Sequence, residues 1–295
     1  MKPYKITKKD QGIRLDQFIK NNLGNDFSAK QIKYSIEKGL CQVNGLIDYR
    51  PHYRCCKGDT IQLKLIQNIT KDNNNKINII LEDEYFIAIN KSTHISSQNA
   101  EALLNNSEKL LHRLDKPTSG VLLFAKNKRA LEAGEQLFKH QLIHKTYHAV
   151  VQGSWKKEEG IISTQHGAKG TRRGLKIWGS VTNNGQLAVT EYKTLAKDED
   201  ISFIKFHPTT GRTHQIRCHA ADGGHPIIGD NLYGLKLSGN NMATRLMLHA
   251  SELKFKHPFH NKEIIIKTPL PTEFIDLLKK RKKFKEIVSL YSNAR

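Results

Sequence analysis

The sequence predicts an α+β protein in two unequal parts: a small α+β module over residues 1–66 and a larger, strand-rich domain over residues 77–295. Three observations carry that reading. The first 66 residues give two amphipathic helical stripes, then short strands around tight-turn signals. Residues 67–76 are polar and Asn-rich, with no apolar periodicity. From Ile77 onward, short apolar runs alternate with turn residues, and few helical stripes interrupt them.

Leu15, Phe18, Ile19 and Leu23 recur at helical spacing. Ser28 and Gln31 fit a capping box that opens a second helix, turns Ile32 and Ile36 inward and stops it at Gly39. Asn44-Gly45 is a hairpin signal between two short strands. Lys57-Gly58-Asp59 then turns the chain into residues 61–65, which alternate as a half-buried strand. Arg14, Lys30, Lys33 and Lys38 stand on the polar faces, suited equally to solvation or to a polyanion. The stretch 67–76 reads as a flexible linker, with residues 1–66 folding apart from the larger domain.

Beyond it, residues 77–81 and 85–89 flank Glu82-Asp83-Glu84 as a hairpin. Val121-Leu122-Leu123-Phe124-Ala125 is wholly apolar, the mark of a strand buried on both faces. Before it runs a dense polar loop, His112-Arg113-Leu114-Asp115-Lys116-Pro117-Thr118-Ser119-Gly120. Its last three residues have turn chemistry, ending in a Gly free to take positive φ. Taken alone, the loop reads as a charged surface turn with Asp115 between Arg113 and Lys116.

Asn127 can cap a helix with Ala130, Leu131, Gly134, Leu137, Phe138 and Leu142 on one face. Residues 145–153 return as a strand on which Tyr147 reads equally as a core aromatic with a wet hydroxyl. Residues 164–185 are basic and Gly-rich, a mobile phosphate-contacting loop or a long hairpin. A strand over 201–206 leads through Pro208-Thr209-Thr210-Gly211 into a short helix over 212–220, stopped by Gly223-Gly224. Two strands follow at 246–250 and 264–266. Thr272 is placed to cap a final helix bearing Phe274, Leu277 and Leu278, which runs into the polybasic stretch 279–285.

Composition narrows the function. Lys and Arg number 48 against 28 Asp and Glu, a formal charge of +20 and a pI near 9.7. That balance points to a polyanionic partner. A membrane is not indicated. There is no apolar run of about 18 residues, no signal-peptide core after Met1 and no lipidation motif, so a soluble cytoplasmic protein is expected. Cys41, Cys55, Cys56 and Cys218 include no Cys-x-x-Cys and imply reduced thiols. His140, His144 and His148 fall at spacings of four, but the β-branched run after them argues that helix has given way to strand, so no metal is expected. Neither a dinucleotide fingerprint nor a P-loop is visible, and no nucleotide cofactor is expected.

The loop carries the strongest signal. His112 to Gly120 resembles the His-Arg-Leu-Asp-x-x-Thr-Ser-Gly signature of RluA-type pseudouridine synthases, which isomerise uridine in ribosomal and transfer RNA. Lys145-Thr146-Tyr147-His148-Ala149-Val150-Val151-Gln152-Gly153 is similar to a second segment of that family. Gly211-Arg212-Thr213-His214-Gln215-Ile216-Arg217-Cys218-His219 matches a third almost residue for residue. Arg14-Leu15-Asp16 and Val43-Asn44-Gly45 resemble the RNA-binding module named after small-subunit ribosomal protein four. One segment departs: where the family has Asn-Lys-Pro-Ala-Gly or similar, this chain has Asn90-Lys91-Ser92-Thr93-His94-Ile95.

The resemblance implies a mainly antiparallel, mixed-sheet catalytic domain behind the module. It implies Asp115 as the catalytic residue, Arg217 as its ion-pair partner, Tyr147 against the target base and Arg113 in the gap left by the extruded uridine. Pseudouridylation keeps every atom and exchanges no electrons, so it requires no cofactor. It does need an ionised group against the sugar or base. Burial alone would favour protonation of such a carboxyl, and a nearby guanidinium opposes that. Ribosomal RNA is the expected substrate, with transfer RNA the other option, and the protein is expected to act as a monomer. Two rivals are a ribonuclease using His112, His214 and His219, and a catalytically inactive RNA-binding or ribosome-assembly protein.

Overall fold

The first helical stripe becomes α1 (Leu15–Leu23), which buries Leu15, Phe18 and Ile19. The computed structural model describes residues 3–23, 27–63, 77–93, 95–104, 107–172, 175–234, 243 and 245–292. The expected linker, residues 67–76, lies outside them, as do the last two residues of the strand expected over 61–65.

α2 (Ala29–Glu37) opens on the capping box: the Gln31 amide donates to Ser28 Oγ and the Ser28 amide to Gln31 Oε1. Two amides that the first helical turn would leave unpaired are thereby satisfied. Both helices cover a four-stranded sheet of β1 (Tyr4–Lys5), β2 (Cys41–Val43), β3 (Leu46–Ile47) and β4 (Thr60–Leu63), ordered β1-β4-β2-β3. Asn44 and Gly45, at φ 55° and 79°, make the β2–β3 turn. Leu15, Phe18, Ile32, Ile36 and Ile61 share one core between the helices and the sheet.

The second sheet has eleven strands among the described residues. They are β5 (Ile79–Glu82), β6 (Phe86–Lys91), β7 (Lys109–Leu110), β8 (Ser119–Ala125), β9 (His144–Gln152) and β10 (Glu159–Arg172), then β11 (Leu175–Ser180), β12 (Gln186–Lys197), β13 (Ile201–Pro208), β14 (Leu248–Lys256) and β15 (Glu263–Lys267). Their order is β11-β10-β12-β13-β9-β14-β8-β6-β5, with β15 beside β14 and β7 beside β8. The α+β architecture with a mainly antiparallel sheet is as expected. β14 and β8 are parallel, meeting at His249–Ser119 and Ala250–Gly120. Every residue of β8 is buried, as its apolar run requires.

Gly120 makes that junction sterically feasible. Its φ is +121°, and a Cβ there would lie 2.1 Å from the Ala250 carbonyl oxygen. The glycine expected for its turn conformation also lets two backbones meet.

The helices of this part are α3 (Ser97–Glu101), α4 (Lys128–Lys139), α5 (Gln215–Asp222), α6 (Thr272–Lys279) and α7 (Lys285–Ser292). α4 is capped by Asn127 as expected, but Leu142 lies beyond its end and is 55% exposed. With α4 ending at Lys139 and β9 starting at His144, the three spaced histidines share no helical face. Of the two readings for residues 164–185, the described part is the long hairpin β10–β11. Thr272 is the first residue of α6 rather than its cap, a position held by Pro271.

The polybasic stretch is tied into the fold. Arg281 donates to Asp198 and Asp200, and Phe284 is wholly buried in a short 3-10 turn ahead of α7. The N-terminal module is likewise not held apart: Asn231 Nδ2 donates to the Ile47 carbonyl, and the Lys116 ammonium lies 5.4 Å above the Tyr49 ring.

Candidate active site

The loop between β7 and β8 is anchored by its apolar residue. Leu114 is buried with Phe124 and Ala250, and its backbone is gripped by Ser97 of α3. The Leu114 amide donates to Ser97 Oγ at 2.9 Å, and that hydroxyl donates to the Leu114 carbonyl at 3.0 Å. With Leu114 committed to the core, its neighbours Arg113 and Asp115 both line the open cleft. The Thr118 amide closes the turn onto the Asp115 carbonyl at 2.9 Å.

Two buried cations hold the same loop from behind. Lys91, at the end of β6, donates its ammonium to the carbonyls of Ser92, Ile95 and Lys116. Burial pushes Lys91 down to about 7, with the Asp115 charge opposing the shift. Arg245 Nη2 donates to Ser119 Oγ at 2.7 Å, and that hydroxyl pairs with His249 Nδ1 at 2.8 Å. The segment that departs from the family's pattern therefore keeps a lysine that ties its own turn to the Asp115 loop.

Arg217 reaches the loop from α5. Its Nη1 lies 3.1 Å from Asp115 Oδ2, while Nε and Nη2 are bound to Asp230 at 2.7 and 2.9 Å. Burial opposes the charge on Arg217, but Asp230 and then Asp115 outweigh it and hold the guanidinium above its ordinary range. Asp230 is fully buried, which would raise its pKa. Arg217, with the amides of Leu232 and Tyr233, reverses that and holds it below the ordinary carboxylate range. A buried carboxylate with two charge-assisted bonds and two amide donors is a fully paired group.

His214 stands at the start of α5 in the left-handed conformation, φ 58°. Its Nδ1 is 2.8 Å from the Tyr233 hydroxyl, and its Nε2 is 3.8 Å from Asp115 Oδ2. Burial, reinforced by Arg217, pushes it down to about 4, so it faces Asp115 as a neutral ring at neutral pH. Tyr147, half-buried on β9, lines the same cleft, and burial and then the Asp115 charge raise its phenol above the usual range. Lys145 donates to the Thr210 carbonyl at the cleft's edge, and burial pushes it down to about 8.

All four residues singled out in the sequence, Arg113, Asp115, Tyr147 and Arg217, line this one cleft. The three histidines of the ribonuclease reading do not converge. His112 accepts from the Leu123 amide and stacks on Phe138. His219 bonds to Thr190 and Thr164. His214 alone of the three lines the cleft.

Sequence reasoning missed Asp230 and Lys91, and it placed His214 only in the ribonuclease reading. For Asp230 a signal existed: an acid following Ile227-Ile228-Gly229 sits in an apolar turn, where a carboxylate needs a strong partner. The arrangement as a whole offers a carboxylate of fixed orientation beside an aromatic ring and a neutral imidazole, with an exposed guanidinium at the rim.

Comparison with known proteins gives a consistent picture. The family model described as RNA pseudouridylate synthase matches residues 75–222, which include all four residues above but not Asp230. The chain is 36% identical over 225 residues to tRNA pseudouridine synthase C of Vibrio parahaemolyticus, covering 66% of this chain and 91% of that protein. It is 30% identical over 310 residues to ribosomal large subunit pseudouridine synthase C of Haemophilus ducreyi, covering 94% of each. Among solved structures, human RNA pseudouridylate synthase domain containing 1 superposes with a TM-score of 0.57 at 27% identity, covering 66% of this chain and 83% of that one.

Proposed function

The chain belongs to the RNA pseudouridylate synthase family, and from that premise we propose how its cleft acts. Asp115 is the catalytic carboxylate and Arg217 orients it. Tyr147 lies against the target uracil, and Arg113 fills the space from which the uridine is extruded. The observation that carries this is the 3.1 Å contact of Arg217 Nη1 with Asp115, made in a cleft that Arg113 and Tyr147 also line.

The reaction breaks the bond from ribose C1′ to uracil N1, turns the base and joins C1′ to C5. The C5 proton leaves and N1 gains one, so the product is an isomer. One anion against the sugar or the base is needed, and Asp115 supplies it. Extruding the uridine costs a few kcal/mol. Stacking on Tyr147 returns about 1–3 kcal/mol, and the rest comes from phosphate contacts made by a chain of charge +20.

Ribosomal RNA is the substrate this reading favours. The relative named for the large ribosomal subunit aligns along 94% of the chain, N-terminal module included, whereas the one named for transfer RNA covers 66%. A monomer acting in the cytoplasm is part of the same proposal.

The test is to map pseudouridines in RNA from cells with and without the gene, and to repeat the modification with purified protein and transcribed RNA. A large-subunit uridine that loses its modification in the deletion and regains it in vitro is the expected result. Loss confined to transfer RNA would overturn the ribosomal assignment.

A further inference from the structure

The segment after β3 is built to hold one side chain away from its own module. Asp48 is buried and takes the Arg50 guanidinium and the Arg50 amide, while Arg50 lies over the Tyr53 ring at 5.1 Å. Between these two fixed residues stands Tyr49, only 8% exposed although it belongs to no cluster of the module's own core. What buries it is the larger domain. Its ring lies under the Lys116 ammonium at 5.4 Å, and its hydroxyl faces Thr93, with Arg245 and Glu273 nearby.

These neighbours belong to the support of the site. Lys116 follows Asp115, and its carbonyl accepts from Lys91. Thr93 lies in the turn whose Ser92 and Ile95 carbonyls Lys91 also holds. Arg245 is the residue that fixes Ser119. The second contact of the module falls on the other carboxylate: Asn231, which donates to the Ile47 carbonyl, follows Asp230. The module thus touches the residue next to each of the two acids that flank Arg217. Charge agrees with this docking, since Glu37 and Asp48 of the module favour the charged form of Lys116 against its burial.

We propose that Tyr49 is a positioning residue for the Asp115 loop, so that the N-terminal module is part of the scaffold of the active site rather than a tethered RNA-binding accessory. The proposal rests on the reading of Asp115 as the catalytic carboxylate. Tyr49 does not line the cleft that holds Asp115. It acts by closing, from outside, the loop that Lys91 closes from within. A tethered accessory would act on affinity for long RNA; a scaffold acts on turnover of any RNA, including one too short to reach the module.

The experiment measures kcat and KM on a short stem-loop for the full-length chain, for Tyr49→Ala and Tyr49→Phe, and for Asp115→Asn as control. Small displacements of a reacting group reduce rates steeply, so Tyr49→Ala is expected to lower kcat about tenfold or more while KM stays within about twofold. Tyr49→Phe keeps the ring under Lys116 and is expected to restore kcat to within about twofold of wild type. Wild-type kcat in Tyr49→Ala, a change confined to KM, or a Tyr49→Phe variant as impaired as Tyr49→Ala overturns the proposal. Should circular dichroism show Tyr49→Ala unfolded, Asn231→Ala decides by the same readout: a lowered kcat supports the proposal and an unchanged one overturns it. An active Asp115→Asn would instead sink the reading of Asp115, a result the Tyr49 variants cannot produce.

Discussion

Arg217 and Asp230 are joined by two parallel hydrogen bonds, Nε to Oδ2 at 2.7 Å and Nη2 to Oδ1 at 2.9 Å. The fork is therefore fixed by Asp230, and the single contact to Asp115 through Nη1 is made by a guanidinium that is already immobile. An arginine paired to Asp115 alone could follow the carboxylate as it moves. One locked by a second acid presents a stationary donor, the preorganisation that favours charge held in a fixed place.

Removing the second acid should consequently injure both stability and turnover. Asp230→Ala leaves a buried guanidinium with half its partners, a class of change that costs about 3–5 kcal/mol. Denaturant titration is expected to show that loss. Arg217→Lys keeps a charge without the planar fork and should retain more turnover than Arg217→Met. If both Arg217 variants turn over normally and only bind RNA more weakly, Arg217 is a phosphate contact.

Asp115→Asn keeps the shape of the loop and removes its charge. Affinity for RNA should change little, because phosphate contacts dominate it, while pseudouridine formation should vanish. Filter binding and nucleoside analysis on the same preparation separate the two. A variant that retained about a tenth of wild-type turnover would be incompatible with a step of nucleophile or base character.

Much of this was legible in the chain because it was written locally. The capping box at Ser28 and Gln31, the Asn44-Gly45 turn and the β8 run each depend on neighbours a few residues away, and each forms as read. The four residues proposed for the site were picked out through their motifs, and they line one cleft. What was hidden depends on pairings across the sequence. Asp230 gains its meaning from Arg217, thirteen residues away, and Lys91 from a carbonyl at Lys116. The same holds for the tail: nothing in Lys279 to Lys285 shows that Arg281 meets Asp198 or that Phe284 fills the core. Tyr49, in a loop of the first module, carried no signal that another domain would bury it.

Gly120 should tolerate no side chain. The Cβ of Gly120→Ala would fall 2.1 Å from a backbone oxygen at a positive φ, and neither strand can yield without breaking the β8–β14 pairing that mounts the Asp115 loop. Loss of folded protein, or of all turnover in whatever folds, is expected. A soluble, active Gly120→Ala with an unchanged melting temperature would show the junction to be looser than described.

Acid should unfold the protein early, and the reason lies in its histidines. Burial pushes His112, His148 and His249 down to about 3, and His214 and His219 down to about 4. In the unfolded chain each returns to an ordinary value near 6.5. Between those limits the unfolded state binds more protons than the native state, so stability rises with pH across the window and falls as pH drops through it. Above about pH 7 the rings are neutral in both states and contribute no slope. Each ring contributes at most about 1.4 kcal/mol per pH unit inside the window. Urea titrations from pH 7.5 to 4.5 should therefore show stability falling steeply from about pH 6.5 downward. Replacing one satisfied core ring tests the source. His219→Gln can keep bonds to Thr190 and Thr164 without a titrating group, and it should lower the slope by about one proton. A wild-type stability flat between pH 6.5 and 5, or a His219→Gln slope equal to wild type, would show that these rings do not govern the acid limb.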